Sequence, residues 1–147
     1  RQVEQMGIGM LAHVFASCGG PLAATPYVVE LMRNWMANAD PMRRQCGFSL
    51  LYELSKKKLK ALDDAFFLER IEHIRQEIRG EEMWVREAMN TALLGIGKRN
   101  RVLNRAAIAA AKEIGPVDID YGSDNSCEPL DVLKHLTSDY VKQKFAK

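Results

Sequence analysis

The chain has 147 residues, 47% of them hydrophobic and 27% charged, with a formal net charge of +2. That length can bury a core without staples, and the composition excludes a disordered segment. No apolar run approaches the roughly 18 residues of a membrane span, and the mildly apolar stretch from Glu4 to Ala16 lacks the basic region and cleavage site of a signal peptide. The chain opens at Arg1 without a methionine and reads as one domain, residues 1–147, taken from a longer protein. Cys18, Cys46 and Cys127 are odd in number and far apart, which fits a reducing, cytoplasmic setting. Neither these nor His13, His73 and His135 have metal-ligand spacing, so no metal is expected, and no cofactor is expected either.

In chain order, Gln2 to Ser17 predicts a helix with Val3, Met6, Met10, Leu11 and Val14 on its buried side, weakened by Gly7 and Gly9 and ended by Gly19-Gly20-Pro21. Thr25-Pro26 reads as an N-cap with proline at the first helical position, opening a helix to Asn38 with a stripe of Val28, Leu31, Met32 and Trp35. Asp40-Pro41 repeats that signal and predicts a helix to about Lys56, with Cys46, Phe48, Leu50, Leu51 and Leu54 inward. Asp63-Asp64 starts another, through Phe66, Phe67, Leu68, Ile71, Ile74 and Ile78 to Gly80. From Gly80 to Asn100 the apolar residues Val85, Ala88, Met89, Ala92, Leu93 and Ile96 follow one helical face. Glu81 and Glu82 are expected in its first turn, with Lys98 and Arg99 at its end. Arg86 and Asn90 lie one turn apart on that helix, on a shared flank. Asn100 can cap a helix from Arg101 to Ile114, stopped by Gly115-Pro116. A loop then runs to Glu128, and Pro129 opens a last helix to about Phe145. No segment predicts a sheet; the fold class is all-α.

The chain also repeats. With Arg44 placed over Arg86, Cys46 falls on Ala88, Leu51 on Leu93, Leu54 on Ile96 and Lys56 on Lys98. Helix pairs recurring about every 40 residues, with an arginine and a small residue near the start of the second helix, predict an α-α superhelix of HEAT-like antiparallel helix pairs. The repeats occupy 25–115, between an N-terminal helix and turn at 1–24 and a C-terminal loop and helix at 116–147. Charge is banded along this array. Pro41–Lys60 has six basic residues against Glu53, and Lys98–Lys112 has five against none, whereas Ala61–Asn90 and Glu113–Asp139 are acidic. Distinct basic and acidic surfaces follow, or else solvated helix faces.

Three stretches resemble the DNA alkylation repair proteins, the HEAT-like repeat DNA glycosylase group, in their C-terminal part. They are Trp35–Asp40 followed by Met42-Arg43-Arg44; Val85-Arg86 with Ala88-Met89-Asn90; and Ile114–Gly122 with Cys127-Glu128-Pro129. The last is the most specific, because its order does not follow from helical periodicity. The resemblance implies a superhelix holding the phosphate backbone of duplex DNA, whose catalytic members excise cationic alkylated bases with a carboxylate and aromatic faces. This sequence departs from that pattern. No Asp or Glu occurs between Glu4 and Glu30, where the family's acid is expected, and Thr91 stands where an aromatic is expected.

The expected function is therefore duplex-DNA binding with base-excision chemistry absent or incomplete. An active glycosylase releasing alkylated purines and a protein-binding scaffold are the alternatives. Arg43, Arg44, Arg86, Lys98, Arg99, Arg101 and Arg105 are the expected phosphate contacts, against the simpler reading of repeat-stabilising ion pairs and solvated turns. Trp35 and Trp84 read as core residues, and Cys127 as a small structural one.

Overall fold

The computed structural model describes residues 9–17 and 21–146. The helices are α1 (Met10–Ser17), α2 (Val28–Met36), α3 (Pro41–Ser55), α4 (Asp64–Glu77), α5 (Met83–Gly97), α6 (Arg101–Ile114), α7 (Val132–Leu136) and α8 (Asp139–Ala146). Short 3-10 turns lie at Pro21–Ala24 and Ile78–Gly80. No strand occurs among the described residues. Two rows form. In the first, α1 packs on α3, α3 on α5 and α5 on α7. In the second, α4 packs on α6, while α2 lies on α3 and α6 closes on α5 and α7.

Short polar side chains start these helices where the sequence placed them. Asp40 accepts from the Met42 amide at 3.1 Å, Asp63 from Phe66 at 2.8 Å and Asn100 from Leu103 at 2.9 Å, so each takes up an N–H that the helix itself cannot bond. Helices α3 and α5 are buried nearly all round, polar residues included: Gln45, Ser49, Ser55 and Asn90 are all inside. A helix without a polar face belongs at the centre of a layer. All six apolar residues predicted to face inward on α5 are buried. In the second row Arg79 donates to the carbonyls of Glu113 and Ile114, each at 2.9 Å, closing the end of α6.

Several expectations are corrected. Val3, Met6, Gly7, Cys18, Gly19 and Gly20 lie outside the described residues. On α1 the residues expected inside are outside: Met10, Leu11 and Val14 are 56%, 69% and 50% exposed, while Ala12 and Ala16 are buried. Small residues let this eight-residue helix lie close to α3, where Gln45 brackets Gly9, accepting from its amide at 3.0 Å and donating to its carbonyl at 2.9 Å. Helix α2 starts at Val28, because the Thr25 hydroxyl donates to Leu22 O at 2.9 Å and closes the preceding turn instead of capping. Leu68 is 39% exposed, on the outer side of α4. Glu81 and Glu82 precede α5 rather than forming its first turn. The last helix is two. Asp131, not Pro129, starts α7, and the hydroxyls of Thr137 and Ser138 then take the carbonyls of Leu133 and His135 at 2.8 and 2.7 Å, ending it before α8.

Helices α2 and α3 come close together at Gly47. A Cβ there would stand 2.5 Å from Met36 N and 2.9 Å from the Trp35 carbonyl carbon, both backbone atoms that cannot swing aside. On an exposed helix Gly→Ala stabilises by about 1 kcal/mol. Here Gly47→Ala should instead destabilise by about 1–3 kcal/mol, the cost of overpacking. A thermal melt that rises for this variant would contradict the close approach.

Candidate nucleic-acid interface

Helices α3 and α5 carry equivalent residues 42 positions apart, so their C-terminal ends fall side by side and bring Lys56 to Lys98 and Lys57 to Arg99. Between these ends lies a groove of about 770 Å³. Lys56, Lys57, Lys58, Lys98, Arg99 and Lys144 line it, with no acidic side chain. The local reason is the helix dipole, whose negative end favours the cations that stand at and just beyond the C-caps, Lys56 and Lys98. Arg99 donates to the carbonyls of Ser55 and Lys57, Lys57 to Ala23 O at 2.6 Å, and Lys144 to Lys98 O at 2.7 Å. Lys56 is held by Glu53 at 2.9 Å and stands 3.9 Å from the Tyr52 ring centroid. Lys58 and Lys98 have no side-chain partner among the described residues.

Gly95 shapes the wall. A Cβ at this position would overlap Ser55 Oγ and come within 2.7 Å of Tyr52 Cδ2, so its absence lets these α3 side chains pack against α5. The guanidinium of Arg99 lies 4.2 Å from the Phe67 ring centroid. Burial lowers the pKa of Arg99, which Asp64 opposes, but an arginine remains charged. Asp64 itself is engaged, both its oxygens accepting from Asn100 Nδ2 at 3.0 and 2.9 Å.

The structure divides the predicted contact residues among three places. Lys98 and Arg99 are in the groove. Arg101 and Arg105 lie beyond Asn100, in a second cleft of about 350 Å³, where Arg101 Nε donates to Phe145 O at 2.7 Å. Arg43, Arg44 and Arg86 are about three turns away, towards the other ends of α3 and α5. Arg44 grips the Glu81 carboxylate with Nε at 3.0 and 3.2 Å and Nη2 at 2.7 Å, and its Nη1 donates to Asn38 O at 3.0 Å and Ala39 O at 2.7 Å. It ties the start of α3 to the approach to α5. Arg43 lies 3.9 Å from Asp40, and Arg86 is half-buried with its Nε lacking a hydrogen-bond partner. Lys56, Lys57, Lys58 and Lys144 were not singled out as contacts. The lysine run closing α3, matched in register to Lys98 and Arg99, was the signal that could have found the first three.

A second cluster joins α1 to α5. His13 Nδ1 lies 3.7 Å from Glu87 Oε2, long for a hydrogen bond but within ion-pair range, and the Thr91 hydroxyl donates to Glu87 Oε1 at 3.2 Å. Glu87 draws the pKa of His13 above its ordinary value, burial opposes it and Glu53 adds to the rise. Trp84, one turn before Glu87, meets Tyr121 edge to face at 6.0 Å. Burial raises the Tyr121 pKa, with smaller contributions from Glu87 and Cys127. Trp35 packs against the core, and Cys127 is exposed. Among the described residues no three His, Cys, Asp or Glu side chains gather as metal ligands would, and no helix is long and apolar enough to cross a membrane.

The family model for the DNA alkylation repair enzyme matches residues 11–124. A solved structure described as "A new family of proteins related to the HEAT-like repeat DNA glycosylases with affinity for branched DNA structures" is similar to the chain, with a TM-score of 0.70 and 18% identity. The match covers 84% of this chain and 53% of the other, so this chain spans about half that structure's length. The likeness shows a shared HEAT-like fold. No curated protein matches the chain.

The two half-buried histidines should titrate in opposite directions from about 6.5. His13 is raised by Glu87, whereas burial and Arg70 lower His73. Because the folded state holds the His13 proton more tightly than the unfolded chain, the stabilisation from His13 is full below pH 6.5 and disappears as pH rises through the raised value. The stability difference between the wild type and His13→Gln should be at most about 1 kcal/mol below pH 6.5 and shrink towards pH 8. NMR titration of the two imidazoles checks the order; His73 titrating above His13 would contradict the ion pair.

Proposed function

This chain belongs to the DNA alkylation repair enzyme family, and from that premise we propose that it is a duplex-DNA-binding HEAT-like domain with base-excision chemistry absent or incomplete. The observation that carries this reading is the groove between α3 and α5, where six cations meet and no acid lines the wall. A duplex binds such a surface through its phosphates by releasing counterions. Cations donating to peptide carbonyls keep their full charge, because the carbonyl is neutral. Arg44, facing Glu81, does not. The main phosphate contacts are therefore assigned to Lys57, Lys58, Lys98 and Arg99, with Arg101 and Arg105 beside them, while Lys56 is offset by Glu53. Arg44, tied to Glu81, is assigned to repeat cohesion, and Arg43 and Arg86, about three turns from the groove, are not assigned to that groove. The affinity for branched DNA stated for the similar solved structure supports DNA as the partner class. The whole chain is read as one repeat domain, with 1–24 and 116–147 flanking the repeats.

One observation favours residual chemistry: Glu87 is a carboxylate one turn from Trp84 and near Tyr121, the residue types that stabilise a cationic base. Its oxygens already face His13 and Thr91, however, which supports the reading without excision. Methylated duplex incubated with the protein should release no alkylated base above the protein-free control, and release abolished by Glu87→Gln would reverse this reading.

Duplex affinity measured by fluorescence anisotropy should fall linearly on a log–log plot against salt. Lys58→Glu and Lys98→Glu should each weaken binding and reduce that slope by about 1. A protein that leaves duplex DNA unbound at about 50 mM salt would end the proposal.

A further inference from the structure

Helix α8 is a narrow ridge. Val141 is buried and Phe145 half-buried beneath it, while every other residue from Asp139 to Ala146 is exposed. Residues two apart on a helix point to nearly opposite sides, so Lys142 and Lys144 project from opposite flanks of the ridge. Each flank faces a basic cleft. Lys144 lines the groove at the ends of α3 and α5, and Lys142 lines the second cleft with Arg101 and Arg105. No acidic side chain lines either. Asp139 offsets Lys142 at 3.2 Å, but both are exposed, where such a pair is weak. The ridge is held by contacts to neutral groups, Arg101 to Phe145 O and Lys144 to Lys98 O, so its anchors also remain positively charged.

Resting on the DNA-binding reading above, we infer that two phosphate backbones straddle α8, one in each cleft, with the ridge standing between the two strands of a duplex. The dimensions fit. A helix with its side chains is roughly 10–12 Å across, and the major groove that separates two backbones is roughly 12 Å wide. Gln143, on the crest between the two lysines, then faces the base edges. A single strand offers one backbone and can fill only one cleft. Duplex is therefore the preferred partner, and both clefts contribute to its binding.

The test uses the full chain with a photoreactive phenylalanine analogue at position 142, at position 144, or at both, bound to a duplex whose strands carry different fluorophores. Each single substitution should give adducts with one strand at a time. The double substitution should in addition tie both strands into one species on a denaturing gel, whichever way round the duplex binds. Arg105→Glu in one cleft and Lys58→Glu in the other should each lower the salt slope for duplex by about 1. Single-strand affinity should fall sharply only when both are reversed. Duplex binding that yields only single-strand adducts from the double substitution, or no adducts at all, overturns the straddled ridge and leaves the DNA-binding reading standing. No duplex binding at low salt overturns both.

Discussion

The packing of α3 along α5 is the constraint on which the rest of the molecule depends. Both helices are buried nearly all round, so neither has a free side on which to shift. Each also carries a buried amide that must be satisfied. Gln45 on α3 uses its amide to hold Gly9 at the start of α1, and Asn90 on α5 donates to Leu130 O at 2.8 Å, holding the segment before α7. An unpaired buried amide costs about 1–3 kcal/mol, so these two side chains fix where the flanking pieces attach. The central pair thus sets its own register and that of its neighbours.

That register converts a sequence repeat into an electrostatic surface. Because α3 and α5 end side by side, the cations that complement one helix dipole stand next to those that complement the other. Whether a cation still attracts phosphate depends on what it touches. Arg44 faces Glu81 and Arg75 faces Glu72 and Glu113, so their fields are largely cancelled. Lys57, Arg99, Arg101 and Lys144 donate to carbonyls and keep theirs. Two arginines that look alike in sequence, Arg44 and Arg99, therefore contribute very differently to the potential.

This contrast marks how far the sequence could be read. Helix starts with an Asp or Asn cap were legible because the cap is a local hydrogen bond, and the starts at Asp40, Asp63 and Asn100 all follow it. The apolar stripe of α5 was legible for the same kind of reason, since periodicity over fifteen residues marks a buried face, although the fold buries most of the other residues of this helix as well. Short helices were not. On α1, shape complementarity to α3 favours alanine over methionine and leucine at the contact, against hydropathy. The break between α7 and α8 turns on two hydroxyls taking carbonyls, which Thr and Ser also do mid-helix without ending one. For the candidate interface, residue types were legible but partners were not. Glu81 lies 37 residues from Arg44, and only the fold brings them together.

The same dependence on partners bears on the cluster around Glu87. A carboxylate that stabilises a developing cation acts through oxygens left free and aimed at that charge. One oxygen of Glu87 accepts from Thr91, and the other is buried beside His13, whose raised pKa favours a positive imidazole there. Both oxygens of this acid thus already face groups of the chain itself. A glutamate so placed links α1 to α5 across the first row of helices. The position is the one where Thr91 replaces the aromatic that the family resemblance leads one to expect. A larger ring in place of that threonine would also remove the hydroxyl that now orients the carboxylate. The threonine and the glutamate are thus two halves of one arrangement that joins α1 to α5.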